Sequence, residues 1–158
     1  MYELTMSVKS IVRQQYKRIV DDAASHTDLK TPSEGWLRTV RKALGMSGAQ
    51  LAKKMGVTRA RIAQAEQAEL TGGTTLKSMQ AAAEAMGCKF VYAIVPDKRV
   101  EDLIDVQARK KARALVKTAS THMALESQNL PNNKIEEEVE RLASDLAREM
   151  PPDLWSDK

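Results

Sequence analysis

Arg59 and Arg61 follow Thr58 directly, with Ala60 between them and Gln64 one turn further on. A guanidinium can donate two parallel hydrogen bonds to O6 and N7 of a guanine, and an alanine methyl can touch the methyl of a thymine. Both contacts suit the first turn of a helix lying in a DNA major groove. Arg41, Lys53 and Lys54 add positive charge nearby, fit for neutralising phosphates. The chemistry on offer is therefore readout of base edges by Thr58, Arg59, Ala60, Arg61 and Gln64. Arg41, Lys53 and Gln50 are candidates for flanking contacts.

Such side chains need a rigid mount, and the stretch from Gly48 to Gln67 supplies its parts. Leu51, Met55, Val57, Ile62 and Ala65 are apolar at positions expected to face one small core. Ala52 falls where two short helices would cross, so anything larger than a methyl would push them apart. Gly56 occupies the turn, where a positive φ carries no penalty for glycine. Thr58 can cap the second helix and Ser47 the first, each accepting a backbone N–H bond. This is the helix-turn-helix pattern. The bland alternative is a helical hairpin in a bundle, which leaves Arg59, Ala60, Arg61 and Gln64 on the exposed side unexplained.

Composition sets the bounds. A chain of 158 residues is one domain with appendages or two small domains, long enough to bury a core without staples. Aromatics are scarce and helix-forming residues abundant. The single Cys88 cannot form an internal disulfide, which fits a reducing cytoplasm, and it is expected to pack rather than react. No apolar run is long enough for a membrane span, and no secretory leader is evident. Charge is unevenly placed. Residues 36–67 hold seven basic side chains against one acidic, a net +6. Residues 127–158 hold four basic against eight acidic, a net −4. DNA would attract the first segment and repel the second.

Along the chain, Val8, Ile11, Val12, Tyr16, Ile19, Val20 and Ala23 predict an amphipathic helix over about residues 7–24, followed by a polar connector to Pro32. Its basic residues are a solvated face or an accessory phosphate contact. Residues 33–87 read as a bundle of at least four helices. Ser33 is the expected cap of the first, which carries Trp36 as a core anchor and ends at Gly45. Thr75 starts the last, with Leu76, Met79, Ala82, Ala83 and Met86 on one face and Gly87 at its end. Cys88 to Val95 is β-branched and aromatic, and Pro96 stops it, so residues 88–96 are predicted to be a short strand. A lone strand leaves its backbone groups unpaired. Pairing with the same strand of a second copy would satisfy them in a homodimer, with a buried extension or an unseen partner strand as alternatives. Residues 97–158 form a C-terminal helical region. One helix runs from Val100 to about Leu125, with Leu103, Ile104, Val106, Ala108, Ala112, Leu115, Val116 and Ala119 on its apolar side. Its cluster of Arg109, Lys110, Lys111, Arg113 and Lys117 faces flanking DNA, an acidic partner or water. A turn at residues 129–133 precedes a last helix from Lys134 to Met150, with Ile135, Val139, Leu142, Leu146 and Met150 at heptad-like spacing.

Leu37 to Gln67 resembles the Xre/Cro-type helix-turn-helix repressors, through Leu44-Gly-Met-Ser-Gly-Ala-Gln-Leu-Ala, Gly56-Val-Thr-Arg, Ile62 and Glu66. The resemblance implies a mainly α, lambda-repressor-like helical bundle, here with one short β-strand and additional N- and C-terminal helices, binding double-stranded operator DNA as a dimer. One position departs. The family often opens the first motif helix with a glutamine that contacts DNA, and here Gly48 stands there, so Gln50, Lys53 or a backbone N–H must compensate. A narrower resemblance, to the family called mobile mystery protein A, covers Gly35 to Ser47, Glu66 to Leu70, Gly87 to Pro96 and Thr121 to Glu126. That family is typically encoded beside a partner with a Fic domain, a fold that transfers AMP to protein side chains. The resemblance implies an antitoxin-like repressor of its own toxin–antitoxin operon. The inhibitory Ser/Thr-x-x-x-Glu-Gly/Asn helix of some Fic antitoxins is missing, because Lys30 precedes Glu34-Gly35 at the decisive spacing.

An enzyme is the weakest reading. His26, His122 and Cys88 form neither a metal-ligand spacing nor a nucleophile motif, and no cofactor or metal is expected. The serious rival is a protein-interaction module whose C-terminal helices bind and neutralise a partner toxin. RNA binding is disfavoured by the scarcity of stacking aromatics.

Overall fold

A computed structural model of the chain describes residues 7–26, 28–125 and 131–157. They form two compact units. One spans His26–Ala93 and the other combines Met1–Ser25 with Ile94–Lys158.

The His26–Ala93 unit holds four helices: α2 (Trp36–Ala43), α3 (Gly48–Met55), α4 (Arg59–Thr71) and α5 (Leu76–Ala85). They surround a core of Leu37, Leu51, Ala52, Ile62, Met79, Ala82 and Met86. The chain stops and restarts each helix by local means. Ser47 Oγ accepts the Gln50 N–H at 3.1 Å, while Gln50 Oε1 accepts the Ser47 N–H at 2.8 Å, a reciprocal capping box. Gly56 ends α3 at φ +66°, a left-handed conformation that would strain any other residue. Thr58 then caps α4 by accepting the Arg61 N–H at 3.1 Å, and Thr75 caps α5 by accepting the Ser78 N–H at 3.0 Å.

Several expectations in this unit need correction. Ser33 does not cap α2, whose preceding residue is Gly35 at φ +82°. The cap comes from another helix. Glu69 on α4 accepts the N–H groups of Trp36 at 2.6 Å and Leu37 at 2.9 Å. A carboxylate at the positive end of a helix dipole outcompetes a neutral hydroxyl. Gly35 makes room for it, since a Cβ there would lie 3.0 Å from the Glu69 carboxyl carbon. Trp36 is not a core anchor but 39% exposed. It lies at the rim of an apolar cavity of about 380 Å³ with Leu29, Val40, Met79 and Phe90. Val57 and Leu76 are also exposed, at 38% and 54%.

The expected strand at Cys88–Val95 is absent, and no strand occurs among the described residues. Its only backbone hydrogen bond among them joins the Cys88 N–H to the Ala83 carbonyl at 2.8 Å, a helix-end bond. A β-strand exists only through a ladder, and one copy of the chain brings no second strand here. Phe90 and Tyr92 do share a side, their rings stacked at 5.8 Å, while Ile94 is 92% exposed. Cys88 is exposed rather than packed.

The second unit contains α1 (Val8–Ala23), α6 (Val100–Leu125) and α7 (Asn132–Glu149). Helices α6 and α7 pack along their length over Ile104, Ala108, Ala112, Val116, Val139 and Ala143. Ala108 and Ala112 are fully buried, and their small side chains allow close approach. Of the apolar side predicted for α6, Leu103, Val106 and Leu115 are instead exposed. The chain leaves α7 through Met150 in a left-handed conformation and turns back, so that Leu154 closes the core at 1% exposure. Gln107 and Lys111 hold that turn by donating to the Leu154 and Asp153 carbonyls. Residues 129 and 130 of the predicted turn, and Glu126, lie outside the described residues. No helix among those residues is long and apolar enough to cross a membrane.

Candidate nucleic-acid interface

Helix α4 presents its first turn to solvent. Thr58, Arg59, Ala60, Arg61 and Gln64 are all exposed, while Ile62, between them in sequence, is buried at 4%. That alternation follows from the helical period, with one residue per turn anchored and its neighbours turned outward. Leu51 and Ala52 hold α3 against the same core at 1% and 3% exposure. The side chains of Arg59, Arg61, Lys53 and Lys54 make no ion pair or hydrogen bond among the described residues, so their charge remains available to a ligand.

The other candidates are already engaged. Arg41 is not open for a phosphate. Its Nε donates to Glu66 Oε1 at 2.6 Å and Nη2 to Oε2 at 3.2 Å, while Nη1 donates to the Met46 carbonyl at 3.0 Å. Side-chain exposure is 14% for Arg41 and 12% for Glu66. The hydrogen bonds that it donates to Glu66 hold the guanidinium above its usual pKa against the opposing effect of burial. Arg41 thus ties α2, the α2–α3 turn and α4 into one body. Gln50 has its carbonyl oxygen committed to Ser47, leaving only its amide N–H groups for a contact. Lys42 pairs with Glu34 at 3.1 Å on the surface, which lowers the Glu34 pKa.

Gly48 opens α3, as the spacing predicted. A Cβ there would meet only Ile62 Cγ2, at 4.0 Å, so the missing side chain is not imposed by crowding.

The basic cluster on α6 is largely spoken for. Arg109 pairs with Glu140 at 3.1 Å, Arg113 with Glu136 at 3.0 Å, Lys110 with Asp157 at 3.3 Å and Lys111 with Asp153 at 3.2 Å. The acidic C-terminal stretch therefore has its main positive partner within its own unit. The Arg109, Arg113 and Lys110 pairs are exposed and contribute little singly, whereas the Lys111 side chain is 9% exposed. Their effect is to cancel a field that would otherwise attract or repel nucleic acid.

Sequence reasoning missed two structural residues, Glu66 and Glu69. Glu66 had two visible signals, as the only acid in the basic segment 36–67 and as part of the helix-turn-helix resemblance, but neither named Arg41 as its partner. Glu69 had none, because its targets lie on a different helix. Among the described residues no group of three or more His, Cys, Asp or Glu is placed to hold a metal ion.

Residues 37–92 match the helix-turn-helix family HTH_3. The match begins at α2 and runs past α5, so it includes α3, the Gly56 turn and α4. It supports a DNA-binding regulator of the Xre/Cro type. No curated protein and no solved structure gives a match.

Proposed function

We propose that the chain is a sequence-specific transcriptional repressor that inserts α4 into the major groove of operator DNA. The observation that carries this reading is the exposed, unpaired pair Arg59 and Arg61 on the first turn of a helix whose back is anchored by Ile62. Thr58, Ala60 and Gln64 complete the reading surface. Gln50 and Lys53 flank it, with Lys54 adding phosphate neutralisation. Arg59 or Arg61 forms the bidentate contact to guanine.

The repressor acts in the cytoplasm as a homodimer, with one copy per half-site. Pairing of residues 88–95 between two copies is one route to it. The exposed apolar side chains of Val91, Tyr92 and Ile94, on backbone without a ladder, support that route. The segments resembling mobile mystery protein A support a narrower role, an antitoxin-like autoregulator of an operon that also encodes a Fic-domain toxin. The second reading is direct neutralisation of that toxin by the C-terminal helices, and their exposed Leu103, Val106 and Leu115 favour it.

Gel-shift titration with the DNA upstream of the chain's own coding sequence tests the first reading. Specific retardation that weakens steeply with salt is expected. Retardation equal to that of scrambled DNA would refute autoregulation. Co-purification with the neighbouring gene product tests the second, and tight binding that survives deletion of α7 would exclude that helix as the toxin site.

A further inference from the structure

The apolar cavity beside α2 lies wholly within the His26–Ala93 unit. Its volume of about 380 Å³ falls in the range of small-molecule sites, roughly 300–1,000 Å³. The floor is buried, with Leu37, Met79, Ala83 and Met86 at 5–8% exposure. The rim is open, through Leu29, Trp36 and Val91. Phe90 forms a further wall, its ring steadied by stacking on Tyr92. Three side chains bring polar groups to the lining: Thr31, Cys88 and Lys89. Lys89 is the one charged residue among the lining residues described. It is exposed and makes no ion pair or hydrogen bond among the described residues.

We propose that this cavity binds a small aromatic carboxylate, its ring on the apolar floor and its carboxylate toward Lys89. The lining selects each part of that ligand. A charge cannot sit on the floor, because no partner there would offset its loss of water. Trp36 and Phe90 offer ring surfaces, and Met79 and Met86 offer thioethers, so an aromatic group gains more than a saturated chain. Lys89 attracts an anion and repels a cation, and no acidic side chain among the described lining residues opposes it. At about 30 Å³ per water-sized group, the space takes roughly a dozen non-hydrogen atoms, which suits a fused bicyclic ring with one carboxylate. Leu37, Met79 and Met86 also belong to the core that holds Ile62 of α4. Occupancy of the cavity and the seating of α4 therefore share side chains. The ligand site itself stands independently of the DNA-binding reading.

The test is titration calorimetry of the full chain with 2-naphthoate and with its neutral counterpart, 2-naphthalenemethanol. One-site binding is expected, tighter for the acid than for the alcohol. Lys89→Gln should weaken the acid about two- to fivefold, the worth of an exposed ion pair, and leave the alcohol unchanged. Ala83→Leu fills the floor and should abolish binding of both, with the unfolding midpoint as the check on its fold. Lys89→Gln, on the surface, keeps the test decisive where Ala83→Leu fails to fold. Cys88, the single cysteine of the chain, gives a second readout from the lining itself. Saturating 2-naphthoate should slow its alkylation by iodoacetamide severalfold in the wild-type chain and not in Ala83→Leu. Equal affinity for acid and alcohol would overturn the proposal, as would unchanged affinity in Lys89→Gln or in a folded Ala83→Leu. So would an absence of binding at millimolar probe. Alkylation that slows with rising protein concentration alone would also overturn it, because a second copy would then cover the cavity.

Discussion

Removing the Arg41 guanidinium separates a structural role from a DNA contact. Arg41 and Glu66 are joined by two hydrogen bonds, with only 14% and 12% of their side chains exposed. Arg41→Ala leaves a nearly dry carboxylate without its counter-ion and the Met46 carbonyl without its donor. Breaking one side of a buried pair costs about 3–5 kcal/mol, and the residual exposure here places the value near the lower end, at about 3 kcal/mol. For a unit of this size that lowers its melting midpoint by about 12–24 °C. Thermal or urea unfolding, followed by a probe on the His26–Ala93 unit, reads the change. Glu66→Ala should cost a similar amount, and the double variant much less than the sum, with a coupling of about 2–3 kcal/mol. Arg41→Met with Glu66→Leu should cost less than either single loss. Below the new midpoint, the slope of log affinity for DNA against log salt should stay at its original value. Had Arg41 neutralised a phosphate, that slope would fall by about 0.9. A loss of under about 0.5 kcal/mol together with a shallower salt slope would refute the clamp and restore Arg41 as a DNA contact.

Three further outcomes follow from the same geometry. Glu69→Gln keeps one of the two acceptor oxygens, removes the charge from the N-terminus of α2 and leaves one of the Trp36 and Leu37 N–H groups without its acceptor, and should cost about 1–3 kcal/mol by chemical denaturation. Gly35→Ala should cost more, since it combines a φ of +82° with a Cβ 3.0 Å from that carboxyl group. Leu154→Ala opens a cavity under the returning C-terminal turn and should destabilise the α6–α7 core by about 2–5 kcal/mol, with operator affinity unchanged at low temperature. Gly48→Gln, for which there is space, should raise operator affinity several-fold in the gel shift, and an unchanged affinity would mean that this position faces no DNA.

What could be read from the sequence was whatever local chemistry decides. The α3–turn–α4 unit was legible because Ser47, Gly56 and Thr58 each act on the adjacent backbone, and because Leu51 and Ile62 recur at helical spacing. Ser47-x-x-Gln50 also carried a capping-box signal, which explains why Gln50 is only half available. What required the fold was decided by pairing across the chain. Glu69 displaced Ser33 as the α2 cap because α4 carries it to the helix end. Glu66 engages Arg41 for the same reason. The sequence left the basic face of α6 open to flanking DNA, an acidic partner or water, and α7 and the C-terminal turn place Glu136, Glu140, Asp153 and Asp157 beside it. The apolar stripe of α1 was correctly seen, but none of it is buried, since periodicity does not say which way a helix faces. The strand prediction rested on residue type, and a strand needs a partner that residue type does not provide.

The most direct test of the account is competition binding that compares operator with random DNA at fixed salt, for the wild-type chain and for Arg59→Ala with Arg61→Ala. Loss of one bidentate arginine contact costs about 1–3 kcal/mol of discrimination. The account predicts that the specificity ratio falls at least about fivefold while the fold, read by unfolding midpoint, is retained. An unchanged ratio would contradict it, because base readout would then lie somewhere other than the first turn of α4.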